Sequence, residues 1–292
     1  MMFVALEPTT LPAFFYLDLV DARRRAALLT LAAGRSKPTL ASLNCEYAQA
    51  LAQISKAPLN AAGKPRVVSG GPILRVARTR HLVDGSVNSS TYSAESRAAA
   101  IRSVQHGLLF LRLQHPPLRE LCDLLITDIL VWPSVKVGGG SSAKLPGIAW
   151  FVLSANLTSL DIAETVVHEM VHLNLHLADM TFGLYTHAPG TEFEAYSAVL
   201  GRRRPYHHAF HSACVAVAVI YFRLLFGLDA EIGSLRSSLR RCTSELLRHR
   251  AAFAEYAWEA ILAAHAFSRA PEVAAIPVHE DLTRARGVKV GI

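Results

Sequence analysis

The clearest pattern in this sequence is the recurrence of apolar residues with the period of an α-helix. Ser93 is placed to cap one long helix, Glu95 falls in its first turn, and Pro116–Pro117 ends it. Another helix is expected to start at residues 156–159, and residues 229–267 suit one or two more. In addition, the pattern predicts helices over 18–33, 40–55, 93–114, 118–126 and 205–226.

Strand-like patterns are fewer and shorter. Residues 57–94 begin with a segment rich in proline and glycine and continue with an alternation of Val, Ile and Arg over Ile73–Val83, and together they predict a loop with one or two strands. The apolar runs Ile129–Trp132 and Ile148–Leu153 have the length of strands, and Gly138–Ser142 between them is typical of a flexible tether or tight loop. We therefore expect an α+β fold, predominantly helical, with a small sheet next to the helix that follows Ile148–Leu153.

Composition favours a soluble, folded chain. Apolar residues make up 51% and charged residues 18%, which excludes disorder as the main state. The longest apolar runs are interrupted by Arg223, short of the roughly 20 residues that a membrane span needs. Met1–Tyr16 carries Glu7 and no basic region, which argues against a signal peptide. We expect one domain over residues 1–292 that has no membrane partner, and residues 1–94 form its helical and strand N-terminal portion.

The cysteines and the net charge bear on the cellular compartment and on the possible partners. The four cysteines include no Cys-x-x-Cys pair, so neither a disulfide framework nor a cysteine zinc site is expected, and reduced thiols indicate the cytoplasm. The net charge of +7 suits an acidic peptide, a carboxylate ligand or a nucleic acid. Because no basic stripe is interleaved with aromatic residues, we expect no nucleic-acid partner. Oligomeric state is not determined by these features.

Histidine is the residue type that points to chemistry. The chain has 13 histidines, and the segment His168-Glu169-Met170-Val171-His172 is an HExxH motif within a predicted helix. Histidines four residues apart lie on one helix face about one turn apart, so both imidazoles can reach one metal ion. Glu169 follows the first ligand and is placed to act as a general base on a bound water. We therefore predict a metal site at His168 and His172.

A catalytic metal needs a third protein ligand, and the sequence leaves its identity open. The compact arrangement HExxHxxGxxH is absent, because Leu175 and Ala178 stand at its glycine and last histidine. His176 lies one turn further along the helix and is interpreted as structural. The downstream candidates are Asp179, Glu192, Glu194, His207 and His211.

The residues around the motif resemble the HExxH-motif peptide-modification proteins, which are found beside genes for ribosomally made, post-translationally modified peptides. The resemblance rests on Leu145–Ile148 before the motif and on Tyr196-Ser197, Arg204-Pro205 and Phe210–Ala213 after it. It covers roughly residues 135–225 well and the N-terminal third only loosely.

The resemblance implies an iron(II)- and 2-oxoglutarate-dependent hydroxylase that uses O₂ to modify a β-carbon in a precursor peptide. It implies three iron ligands, His168, His172 and His211. Arg204, the arginine of the Arg-Pro pair, would bind 2-oxoglutarate, because a guanidinium matches a carboxylate with two parallel hydrogen bonds. Glu169, the catalytic candidate, would orient a water or a ligand at the metal. The family often has Pro-Trp-Arg after the serine, where this chain has Ala198–Leu200, so an arginine of the run Arg202–Arg204 would replace that one.

Two other functional classes stay open. In a zinc metallopeptidase, Glu192 or Glu194 would complete the site with His168 and His172, and Glu169 would activate water. A relative without activity would bind a leader or precursor peptide and hold a structural metal.

Three segments are candidates for handling a peptide. If Ile148–Leu153 lies at the sheet edge, an extended peptide could pair with it. Gly138–Ser142 could then act as a flap. Residues 1–94 could contribute to peptide binding.

Overall fold

Two compact units make up the chain. The computed structural model describes residues 17–80, 92–133, 138–154, 156–186, 193–228, 230 and 232–269. The first unit is Leu19–Leu184. The second contains the described residues from Tyr185 onward together with Leu17 and Asp18. That the whole chain is one domain stays a prediction.

The first unit is mostly helical and contains the main sheet. Its helices are α1 (Leu19–Ala32), α2 (Leu43–Ser55), α3 (Pro72–Thr79), α4 (Ala94–Gln114), α5 (Pro116–Leu125) and α6 (Ser159–Phe182). Its strands are β1 (Arg66–Val68), β2 (Asp128–Pro133), β3 (Gly138–Ser141) and β4 (Ile148–Leu153). The HExxH motif lies in α6, which packs against β3 and β4. The expected α+β class, with a small sheet beside the HExxH helix, is confirmed.

The four strands lie in the order β1-β2-β4-β3. β2 is parallel to β1 and β4, whereas β3 is antiparallel to β4. Because side chains alternate between faces, Leu130 and Trp132 point to one face, where they pack with Ile73 and Leu74 of α3, and Ile129 points to the other. Both faces of β2 and β4 are therefore covered, which explains their nearly continuous apolar sequences.

A fully buried carboxylate fixes the start of the sheet. Asp128, the first residue of β2, is 2.6 Å from Nη2 of Arg66 on β1 and accepts a hydrogen bond from the backbone N–H of Asn60. A buried charge of this kind is stable only when it is paired and hydrogen-bonded. The pair therefore sets the register of β1 against β2.

Helices α4 and α6 approach each other closely at one glycine. A Cβ atom on Gly107 of α4 would lie 2.6 Å from Cγ2 of Ile162 on α6. No side chain fits at that distance, so the contact requires glycine. It brings α4 against the N-terminal half of the HExxH helix.

The described residues of the second unit form a short hairpin, three α-helices and a 3₁₀-helix at Arg250–Ala252. Its elements are β5 (Glu194–Tyr196), β6 (Arg203–Pro205), α7 (Tyr206–Leu225), α8 (Ile232–Leu246) and α9 (Glu255–Arg269). β5 and β6 are antiparallel. Of the helices in the described ranges, α7 alone is long and apolar enough to cross a membrane, but 78% of its most apolar window is buried inside the protein. This extent of burial is that of a core helix.

Most of the predicted elements are confirmed within a few residues of their expected ends. The expected strands at 129–132 and 148–153 are β2 and β4, and residues 229–267 contain two helices. Ser93 caps α4, since its Oγ accepts a hydrogen bond from the N–H of Ser96 at 3.0 Å. These elements carry strong local signals, namely long periodicity, apolar runs and a capping residue.

Three expectations about strands were wrong. Residues 72–79 form helix α3, because Pro72 suits the first helical turn and Ile73, Leu74 and Ala77 are buried on one helical face. Residues 81–83 of that expected strand lie outside the described ranges. Gly138–Ser141 is strand β3, neither a tether nor a flap. β4 pairs on both sides, with β2 and β3, so it offers no edge to a peptide.

His115 gives a prediction about acid stability. It is 5% exposed, and its Nδ1 accepts a hydrogen bond from the N–H of Leu118 at the start of α5. Burial lowers the pKa of His115 from 6.5 to about 4. Between pH 6.5 and 4, the unfolded chain therefore binds a proton at His115 that the folded chain does not bind. The stability of the fold that depends on neutral His115 is complete above pH 6.5 and is lost as the pH falls towards 4. At pH 4 the loss reaches about 3 kcal/mol.

We expect His115→Asn to keep the cap, because asparagine is a good N-cap residue, and to flatten the decrease in stability between pH 6.5 and 4. Urea unfolding at several pH values measures it. His106→Asn, at an exposed position on α4, is the control and should follow the wild-type profile. An unchanged profile in His115→Asn would contradict the assignment.

Candidate metal centre on the HExxH helix

His168 and His172 lie side by side on α6. Their ring centroids are 5.2 Å apart and their planes are tilted by 51°. Both residues are half-buried, and the side chain of His168 is 29% exposed. The adjacent positions Val166, Val167 and Met170 are fully buried in the core. The helix therefore buries its apolar faces and leaves the two imidazoles accessible together, as the sequence predicts.

Electrostatics keep His168 in the form that a metal requires. Burial lowers the pKa of His168 from 6.5 to about 4, so its imidazole is neutral at neutral pH. Neutral imidazole is the metal-binding form of histidine. Two imidazoles on one helix face fit two of the ligands of a transition-metal ion.

Glu169 is almost fully buried against strand β3. Its Oε2 accepts a hydrogen bond of 2.9 Å from Oγ of Ser141, and its Oε1 lies 3.9 Å from Nε2 of His168. Burial raises the pKa of Glu169 from 4.5 to about 7, and the hydrogen bond from Ser141 opposes that shift. The carboxyl group can therefore hold or release a proton near neutral pH, next to the first histidine.

Ser141 was missed by the sequence analysis. Nothing in the run Gly138–Ser142 indicates a partner for the HExxH glutamate, because the contact arises only when β3 pairs with β4 and packs on α6. The nearby glycine was a weak signal. A Cβ atom on Gly139 would lie 3.5 Å from Oε1 of Glu169 and 3.0 Å from the carbonyl oxygen of Trp150, so a small residue permits the close approach.

Arg25 anchors α6 from the other side. It is fully buried on α1, pairs with Asp21, and donates a hydrogen bond of 2.9 Å from Nη2 to Oδ1 of Asn174 on α6. Asn174 is also fully buried, two residues beyond His172. Because a buried guanidinium is costly without partners, this bond fixes the rotation of α6 beside the second histidine.

The candidates for the third ligand lie on different elements and differ in exposure. Asp179 accepts a hydrogen bond of 2.8 Å from the N–H of Leu184 and so helps to end α6. His211 lies on α7 of the second unit and is 9% exposed, whereas Glu194 lies on β5 and is exposed. Glu192 and His187 lie outside the described residues. Within either unit, no group of three or more His, Cys, Asp or Glu side chains in the described ranges is arranged to hold a metal ion.

The three arginines at 202–204 differ in their contacts and in their exposure. Arg203 pairs with Glu245 of α8 at 3.0 Å, and the same carboxylate accepts a hydrogen bond from the N–H of Tyr196. Arg203 therefore holds the β5–β6 hairpin on α8. Arg202 is exposed, and Arg204 is half-buried opposite Ala195. Arg204 is the half-buried one of the three arginines. The contact that holds the hairpin on α8 uses Arg203 instead.

A pair of serines connects two segments that carry the resemblance. Oγ of Ser197, just after β5, lies 2.9 Å from Oγ of Ser212 on α7, and the Ser212 hydroxyl also accepts a hydrogen bond from the N–H of Val199. Both serines are buried. They fix the hairpin to the first turns of α7, next to His211, and their role is structural.

Comparison of the sequence with models of known protein families finds no match, and comparison with curated proteins finds none either.

The contact between Arg25 and Asn174 gives a stability prediction. Asn174→Ala should lower the free energy of unfolding by about 2 kcal/mol or more, because a buried hydrogen bond to a charged group is lost. Met180→Ala, at an exposed position on the same helix, should change it by less than about 0.5 kcal/mol. Urea unfolding of both variants tests this, and equal effects would show that Arg25 does not depend on Asn174.

Proposed function

We propose that this chain is an iron(II)- and 2-oxoglutarate-dependent hydroxylase that adds oxygen to a β-carbon of a residue in a ribosomally made precursor peptide. The observation that carries the metal site is the pair of adjacent imidazoles of His168 and His172 on one face of α6. The choice of an oxygenase rests on the resemblance at Arg204-Pro205 and Phe210-His211. A cytoplasmic location, suggested by the isolated cysteines, suits a substrate made on the ribosome.

His168 and His172 would hold the metal, with His211 as the third ligand from its match to the family pattern. Iron(II) with 2-oxoglutarate and O₂ supplies the oxidation: one oxygen atom enters the substrate C–H bond, and the other converts the keto acid to succinate and CO₂. Arg204 would bind the far carboxylate of the keto acid.

Glu169 supports this function from beside the metal ligands. Its hydrogen bond from Ser141 fixes one carboxyl oxygen, and the other oxygen stays near the ring of His168. Glu169 can thus orient a water or a ligand in the site. The same residue would serve as a general base in a zinc peptidase, so the third ligand distinguishes the two chemistries.

Metal binding is the first test. We expect His168→Ala, His172→Ala and His211→Ala each to weaken iron(II) binding by more than about 100-fold, because each would remove a ligand. Elemental analysis after anaerobic loading and dialysis measures the retained metal, and circular dichroism checks the fold. His211→Gln is a second, more conservative variant at that buried position.

Two further variants are the controls for metal binding. Glu194→Ala and His176→Ala should retain iron. Loss of metal in Glu194→Ala together with retention in His211→Ala would instead indicate the ligand set of a zinc peptidase and would contradict the proposal.

The second test is the reaction product. The resemblance implies that a precursor peptide is encoded near this gene. Incubation of that peptide with the iron-loaded protein, 2-oxoglutarate and O₂ should increase the peptide mass by one oxygen atom, and the gain should require the keto acid. Mass spectrometry detects it. Cleaved fragments would contradict a hydroxylase.

Arg204 provides a matched comparison in the same assay. Arg204→Ala should raise the KM for 2-oxoglutarate by about tenfold or more, because a charge-assisted hydrogen bond contributes about 1.5–3 kcal/mol. Arg202→Ala, at an exposed position, should leave the KM unchanged. The reverse result would assign cosubstrate binding to Arg202.

A further inference from the structure

Strand β3 forms one edge of the sheet. Among the described strands it pairs with β4 alone, through Gly138↔Val152 to Ser141↔Ala149. Gly138 and Gly139 are exposed, and Gly140 and Ser141 are half-buried. Along the outer side of an edge strand, every second residue directs its backbone N–H and C=O groups away from the sheet.

The two faces of β3 have different neighbours. Gly139 and Ser141 face α6, because the Ser141 hydroxyl donates to Glu169 and a Cβ on Gly139 would approach the same carboxylate. Gly140 faces the opposite side, where a Cβ would lie 2.3 Å from Cζ2 of Trp150. The indole of Trp150 thus occupies the place of a side chain at Gly140.

These contacts connect the sheet edge directly to the HExxH helix. A strand added outside β3 would lie about 4.8 Å from it. Residues that face each other across paired strands direct their side chains to the same face. A peptide residue opposite Gly139 or Ser141 would therefore point to the face on which Glu169 lies, and a residue opposite Gly140 would point to the face of Trp150.

We infer that the outer edge of β3 binds the substrate peptide in an extended conformation, as a fifth strand of the sheet. The inference rests on the proposed function, since it takes the occupant to be the peptide that is modified beside His168. Recognition is by the peptide backbone, so it needs no side chains from the three glycines of the edge. The residue to be modified stands opposite Gly139 or Ser141, and a neighbouring apolar residue contacts the indole of Trp150.

Hydrogen exchange tests where the peptide binds. The probe is the precursor peptide that the resemblance implies, with the iron-loaded full chain under anaerobic conditions so that no turnover occurs. Exchange of the outward-facing amides in 138–141 should slow when the peptide is added. Strand β1 (Arg66–Val68), at the other edge of the same sheet, is the internal control and should be unaffected. No binding of the probe, or binding without protection of 138–141, would overturn the inference.

Backbone methylation of the probe provides a second measurement. Peptides with a single N-methyl group at successive positions should lose affinity at every second residue, by roughly fivefold each, because one inter-strand hydrogen bond is lost. Fluorescence anisotropy measures the affinity. Uniform affinity across the segment that the protein protects would show that recognition depends on side chains and would overturn strand addition.

The outcomes for binding and for chemistry are distinguishable. Protection of 138–141 without an oxygen gain in the aerobic assay would retain the docking edge and reject the hydroxylase. An oxygen gain without protection of 138–141 would retain the hydroxylase and reject the docking edge.

Discussion

The hydrogen bond from Ser141 to Glu169 is the contact on which the arrangement of the metal helix and the sheet depends. A carboxyl group that is 4% exposed has to be hydrogen-bonded, or its burial costs more than the surrounding packing can offset. Ser141 is the donor that the structure provides, so β3 has to lie directly against α6. A Cβ atom on Gly139 would lie 3.0 Å from the carbonyl oxygen of Trp150 on β4, so glycine permits this close pairing of β3 with β4.

A second buried polar contact fixes the same helix from another direction. Glu169 and Asn174 are five residues apart, so they point in different directions around α6. Glu169 is held by the sheet, whereas Asn174 is held by Arg25 of α1. His172 lies between Glu169 and Asn174 along the helix and His168 directly precedes Glu169, so α6 cannot turn either histidine away without breaking a buried polar bond. The helix is rigid where a metal ion would need two ligands at a fixed separation.

The helices and the two apolar strands could be predicted because their signals are local. The spacing of His168 and His172 likewise follows from helix geometry alone. Ser141 and Arg25 could not be predicted, because their importance comes from partners 28 and 149 residues away in sequence. Gly138–Gly140 was misinterpreted for a similar reason: three glycines suggest a flexible loop until pairing with β4 and the indole of Trp150 supply the missing packing.

Under the proposed function, peptide recognition and metal chemistry would be carried by different residues. An edge strand of glycines can read a backbone whatever reaction follows, whereas the third metal ligand determines which reaction is available. Among the carboxylates, Asp179 already ends α6 and Glu194 is exposed, so neither has the burial that holds the HExxH glutamate in place. Arg203 is used by Glu245, which leaves the half-buried Arg204 as the arginine suited to an anionic cosubstrate. These placements are consistent with the proposed hydroxylase, in which Arg204 would bind a small dicarboxylate and neither Asp179 nor Glu194 would serve as a metal ligand.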